Sequence, residues 1–144
     1  MSDEVPQTSI QHVNLAVSDL AAAVAFYTDV VGLGLASTPD LGFPAQFIAI
    51  NDYQEIHLNE VTDVTPQRSH FCLRVEDFNG VFLRSKAAGA IDTTTNGKAH
   101  RLATGVMQMF VRDPHGHLVE IACDADQPID PEILADEVFA PNTR

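Results

Sequence analysis

The chain repeats itself, and that constrains its fold more than any other feature. The stretch His12-Val13-Asn14-Leu15-Ala16-Val17-Ser18-Asp19-Leu20 has a counterpart in His70-Phe71-Cys72-Leu73-Arg74-Val75-Glu76-Asp77-Phe78. His, Leu, Val and Asp fall in the same places 58 residues apart (His12 to His70, Asp19 to Asp77). Both copies alternate as a strand does: Val13, Leu15 and Val17, or Phe71, Leu73 and Val75, form an apolar stripe. His12, Asn14 and Ala16, or His70, Cys72 and Arg74, lie on the opposite face. In each copy an Asp then opens a helix, as an N-cap does.

The rest of the chain fits this duplication. Strand Ile10–Val17 leads to a helix over Asp19–Val31, with Leu20, Val24, Tyr27 and Val31 at helical spacing and Gly32 and Gly34 as its stop. Short strand Leu33–Ser37, turn Pro39–Gly42, strand Gln46–Ile50 and strand Tyr53–Asn59 complete a βαβββ module over residues 10–59. The polar stretch Glu60–Gln67, which contains Pro66, reads as a linker. A second module over 68–123 has strand Arg68–Val75, helix Asp77–Ala88 and a weaker strand over Ile91–Thr94. A basic loop over Asn96–Gly105 follows, then strands Val106–Arg112 and His117–Cys123. The turn between those strands, Asp113-Pro114-His115-Gly116, has Pro and Gly where a type I turn wants them. The tail 124–144 is expected to hold a short helix over Pro131–Val138, Pro131 suiting its first turn. The fold class is therefore α+β. A single domain over 1–144 is expected, its two tandem βαβββ modules forming a curved eight-stranded mixed sheet, a cup with the helices outside. The histidine-bearing faces would line the cup.

Composition narrows the function. A chain of 144 residues that is 45% hydrophobic can bury a real core. A net charge of −12, no Trp and only two Tyr argue against nucleic acid, which needs clustered cations. No apolar run reaches the ~18 residues of a membrane span, and the acidic N-terminus lacks a signal-peptide core. Cys72 and Cys123 lie in apolar strand patterns and are expected to be buried free thiols, which suits a reducing cytoplasm.

If the histidine faces line a cavity, the fourth strand of each module should contribute to it too. Ile56-His57-Leu58 and Val119-Glu120-Ile121 match, each an ionisable residue between aliphatics. Each repeat thus offers two donors, giving His12, His57, His70 and Glu120. A carboxylate between Val119 and Ile121 is costly to bury without a partner or a metal. Neutral imidazoles with one carboxylate suit divalent Fe, Mn, Zn, Ni or Co better than Ca. Taken singly, each donor has a plainer reading: His57 as an exposed edge residue, Glu120 as the ion-pair partner of Arg74. Their repeat-equivalent positions favour one shared metal site. His115 and His117 flank the hairpin turn and are expected to be exposed, whereas His100 on its loop could serve as a lid residue.

With these elements the chain resembles the vicinal oxygen chelate superfamily, which includes glyoxalase I, bleomycin-binding proteins and extradiol dioxygenases, and within it a glyoxalase-like branch. The resemblance runs from about Ile10 to Cys123. It rests on His12 through Asp19, Phe26-Tyr27 with Val31-Gly32-Leu33, the His70 strand, and Asp113-Pro114-His115-Gly116 leading to Val119-Glu120-Ile121. It implies that His12, His70 and Glu120 hold a metal. Glyoxalase I has Glu where this chain has His57, so His57 is either a fourth ligand or a base or substrate contact beside a two-His, one-carboxylate triad.

The implied activity is that of a metal-dependent lyase or isomerase, the ion acting as Lewis acid on a small substrate with adjacent oxygens. Glu120 or His57 would accept the proton, and Asn14, Arg74 and Gln108 would orient the substrate. Two alternatives stay open. One is an extradiol-type Fe(II) dioxygenase, for which Tyr53 and His57 are the candidate residues near the open positions. The other is a metal-free binding or resistance protein. The resemblance also implies a homodimer, so sedimentation at micromolar concentration should give a species of twice 15.6 kDa. A purely monomeric boundary would refute this.

Overall fold

A computed structural model describes residues 9–65, 69–96 and 99–136. The chain divides into two compact units, Met1–Val64 and Thr65–Arg144. Each unit carries its own mixed four-stranded sheet.

In the first unit, β1 (His12–Val17) leads to α1 (Leu20–Ala25), and β2 (Gly34–Leu35), β3 (Ala45–Ala49) and β4 (Glu55–Glu60) follow. The strand order is β1-β4-β3-β2, with β1 and β4 parallel and the other pairs antiparallel. Asp19 caps α1, its side chain accepting from the Ala22 amide at 3.0 Å. The helix expected to run to Val31 instead changes at Phe26. Residues Phe26–Val30 form a π turn, in which the Val31 amide donates to the Phe26 carbonyl at 3.1 Å. The wider turn accommodates two consecutive inward rings, Phe26 and Tyr27, both buried and meeting edge to face at 5.0 Å. Gly32, at φ 93, then turns the chain out of the helix.

The second unit repeats the plan. β5 (His70–Arg74) leads to α2 (Phe78–Ala87) and the short α3 (Thr93–Asn96), before β6 (His100–Arg101), β7 (Met107–Arg112) and β8 (Leu118–Cys123). In the order β5-β8-β7-β6, β5 and β8 are again parallel and the other pairs antiparallel. Asp77 caps α2 through the Gly80 amide at 2.9 Å, the counterpart of Asp19. A last short helix, α4 (Pro131–Leu134), lies in the tail. Its expected extension to Val138 passes outside the described residues.

The expected strand over Ile91–Thr94 does not form. Ile91 makes only an isolated bridge to Val111, and α3 starts two residues later. Asp92 is the reason: its Oδ1 accepts from the amide and hydroxyl of Thr94, at 2.8 and 2.7 Å. A side chain that takes up local backbone donors competes with a strand ladder. The second strand of the module is β6, inside the stretch expected to be a loop.

Both sheets have one apolar face. In the first unit Val17, Ile48, Ile56 and Leu58 are buried with Ala23 and Tyr27 of the helical segment. In the second, Leu73, Met107, Met109, Val111, Val119 and Ile121 are buried with Phe78, Val81 and Phe82 of α2. Among the described residues no helix is long and apolar enough to cross a membrane. The β7–β8 turn is fixed by Asp113, a nearly buried carboxylate whose Oδ1 accepts from the amides of His115 and His117, both at 2.9 Å. Gly116 supplies the left-handed residue, at φ 84. His115 and His117 are half-buried in this turn and not exposed as the sequence suggested, because Asp113 draws their backbone inward. Removing the acceptor strands two amides, so Asp113→Ala should lower stability by about 1–3 kcal/mol in urea denaturation. Asp113→Asn, which keeps an acceptor oxygen, should lower it less.

Candidate functional site

Strand alternation decides which side chains can meet. In the first unit, register sets His12 opposite Glu55 and Asn14 opposite His57 on the parallel β1–β4 pair. On the antiparallel β3–β4 pair, Phe47 stands opposite His57. Cross-strand partners share a face, so His12, Asn14, Glu55, His57 and Phe47 lie together on the face away from the Ile56–Leu58 core. There the His57 ring is stacked on both sides. Phe47 lies 3.5 Å away at an interplanar angle of 4°, and His12 lies 4.1 Å away at 11°. The ring edge is held too: His57 Nε2 lies 2.7 Å from Glu55 Oε2. His12 Nδ1 lies 2.6 Å from Gln11 Oε1. Asn14 is tied to its strand neighbour, its Oδ1 accepting from Asn59 Nδ2 at 2.7 Å.

In the second unit, Cys72 and Phe110 stand opposite Glu120. The Glu120 carboxylate is held on both oxygens. Gln108 Nε2 donates to Oε1 at 2.5 Å, and His70 Nε2 lies 3.3 Å from Oε2. The His70 ring meets Phe110 edge to face at 5.2 Å. Glu120 is therefore paired with neighbours on its own face, and the expected alternative, a bridge to Arg74, does not form. Arg74 instead pairs with Asp124, both well exposed. Gln108, expected to orient the substrate, donates its side-chain amide to this carboxylate. His100 lies opposite Gln108 on β6, and Tyr53 is exposed in the turn before β4.

Each unit thus brings two of the four expected donors together, His12 with His57 and His70 with Glu120. Among the described residues no three or more His, Cys, Asp or Glu gather into a metal-binding group. The His70–Glu120 pair does fit two ligands of one divalent ion. Donors about 2.1 Å from an ion, at right to tetrahedral angles, stand roughly 3.0–3.4 Å apart, and here the separation is 3.3 Å.

Three contributors were missed from the sequence. Glu55 sits two residues before His57, so strand alternation alone could have placed it on the same face. Phe47 and Phe110 are 63 residues apart, the same offset that relates His57 to Glu120, so the repeat itself carries the signal that pairs them.

Cys72 also departs from expectation. Both cysteines are free, and Cys123 is buried, but Cys72 is exposed because it shares the face of His70 and Glu120. Although the residue as a whole is exposed, desolvation of its thiol, followed by the nearby Glu120 charge, pushes its pKa up from 9.0 to about 11.

The family model described as Glyoxalase/Bleomycin resistance protein/Dioxygenase superfamily matches residues 9–121. The chain belongs to this superfamily. It is 28% identical over 123 residues to the "Probable lactoylglutathione lyase" of Vibrio parahaemolyticus, covering 78% of this chain and 88% of that protein. Among solved structures, the lactoylglutathione lyase of Agrobacterium tumefaciens matches with a TM-score of 0.61 and 25% identity, over 84% of this chain and 97% of that one. The oxidase ChaP-H2 shares the fold at a TM-score of 0.67 and 24% identity, over 82% and 94%. The α+β arrangement of two tandem modules is the fold of this glyoxalase superfamily.

The high Cys72 pKa gives a testable consequence. An unfolded thiol near 9.0 ionises before the native one, so this group's contribution to stability is complete below pH 9.0 and is lost as pH rises through about 11. With chelator present, iodoacetamide labelling of Cys72, followed by peptide mass spectrometry, should show a midpoint near 11. Glu120→Gln should move that midpoint down. An unshifted wild-type midpoint would contradict the assignment.

Proposed function

We propose that this glyoxalase-superfamily protein is a metal-dependent enzyme of lyase or isomerase type, acting on a small molecule with adjacent oxygen atoms. The observation that carries the reading is the His70–Glu120 pair, 3.3 Å apart, with Glu120 held at its other oxygen by Gln108. His12 and His57 hold the equivalent places in the first unit, where their stacked rings would have to part for both lone pairs to meet one ion. His12, His57, His70 and Glu120 are the residues that would hold the ion. Their imidazole-rich set favours divalent Fe, Mn, Zn, Ni or Co over Ca. When bound, such an ion supplies Lewis-acid stabilisation to developing negative charge on substrate oxygen.

The chain's own residues supply positioning and proton movement. Gln108 donates to one Glu120 oxygen and so aims the other, which can take a proton from carbon or return one. Phe110 packs edge-on to His70 and limits how that ring turns. Phe47 does the same for His57 by stacking. Asn14 adds an amide to the same face as His57 and can contact a substrate oxygen. Arg74, engaged with Asp124, can attract an anionic substrate only by loosening that exposed pair. The lactoylglutathione lyase names of the relatives support the reaction class. A homodimer in the cytoplasm is the expected setting.

Metal-stripped protein titrated by calorimetry with Ni, Mn, Zn or Co should take up one ion per chain. His12→Ala and His70→Ala should each weaken binding by more than the ~10–100-fold typical of losing an outer partner. Retention of full affinity in either variant would break the four-donor assignment. No uptake of any ion, with no chelator effect on thermal stability, would leave a metal-free binding protein. Oxygen consumption with Fe(II) and a catechol would instead mark the dioxygenase alternative.

A further inference from the structure

We infer that Glu55 is the positioning residue for His57, fixing the ring so that Nδ1 is the nitrogen left with a lone pair for a ligand. This rests on the reading of His57 as a site residue. Two independent constraints meet on this ring. Phe47 at 3.5 Å and His12 at 4.1 Å cover its two faces at interplanar angles of 4° and 11°, which fixes the ring plane. Within that plane two orientations remain, related by a half-turn that exchanges the nitrogen and carbon edges.

Glu55 chooses between them. Its Oε2 lies 2.7 Å from His57 Nε2, and a carboxylate can only accept, so the shared proton sits on Nε2. An imidazole whose one proton is on Nε2 has its lone pair on Nδ1. Glu55 is itself well held. Its backbone amide donates to the Gln11 carbonyl at 2.9 Å, its register partners are His12 and Ala49, and its side chain is 29% exposed. No Lys or Arg among the described residues forms an ion pair with it, so the carboxylate is committed to the imidazole. A carboxylate behind a ligating imidazole orients the ring and raises its basicity, and losing such a partner typically weakens metal binding ~10–100-fold.

Glu55→Ala and Glu55→Gln separate this role from simple support of the strand. In metal-free protein with 15N-labelled histidine, wild type should show a slowly exchanging, downfield proton on His57 Nε2. Glu55→Ala should lose that signal, and Glu55→Gln, whose amide oxygen still accepts, should retain it. Competition with a chromophoric chelator should then show Zn affinity reduced ~10–100-fold in Glu55→Ala and largely recovered in Glu55→Gln. An unprotonated Nε2 in wild type, or an unchanged proton signal in Glu55→Ala, would overturn the assignment. Wild-type protein that binds no metal would overturn the proposed function instead, and the proton signal would still decide for or against Glu55.

Discussion

The parallel pairing of first and last strands within each module is the constraint on which the rest depends. Parallel neighbours need a long crossover, and here the helical segment and two antiparallel strands provide it. The pairing brings Asn14 beside His57 and Cys72 beside Glu120, residues far apart in sequence. Because side chains alternate strictly, a slip of one residue would bury His57 and Glu120 and expose their aliphatic neighbours. Ile56, Leu58, Val119 and Ile121 are fully buried, so such a slip is heavily penalised. Register, and with it the chemistry of the polar face, is thus set by apolar residues on the opposite face.

On this common scaffold the two modules solve different electrostatic problems. A carboxylate at 120 needs donors, and Gln108 and His70 provide them from the neighbouring strands. The equivalent position in the first module carries an imidazole. Its flat ring can be stacked as well as hydrogen-bonded, and Phe47, His12 and Glu55 use both properties. Phe47 and Phe110 keep the same place in both modules, one stacked on His57, the other edge-on to His70. The aromatic residue is therefore part of the repeated plan, and the polar residue beside it is the variable.

Much of this was legible in the sequence because it rests on alternation and capping. The two strand faces, the Asp19 and Asp77 caps and the Asp113–Gly116 turn all follow from local patterns. What was not legible depended on side chains redirecting the backbone. Asp92 turned an expected strand into a helical turn, and Phe26-Tyr27 opened a helix into a π turn. Partner choice was also hidden. Arg74 and Glu120 have opposite charges and sit on one face, yet each is satisfied by a different neighbour. Nothing in the linear spacing ranks Asp124 above Glu120 for Arg74, since that depends on how the chain leaves β8.

The exchange of carboxylate for imidazole at position 57 has a consequence for charge. The proposed donor set of three imidazoles and one carboxylate would leave a divalent ion with one net positive charge, whereas a second carboxylate would cancel it. A residual positive charge favours Lewis-acid action on anionic oxygen but raises the cost of sequestering the ion from water. Glu55 answers both. At 2.7 Å from His57 Nε2 it would return one negative charge to the neighbourhood of such an ion through the imidazole, without itself being a ligand. The first module thus holds a carboxylate two residues before His57 in the strand, one hydrogen bond behind the imidazole.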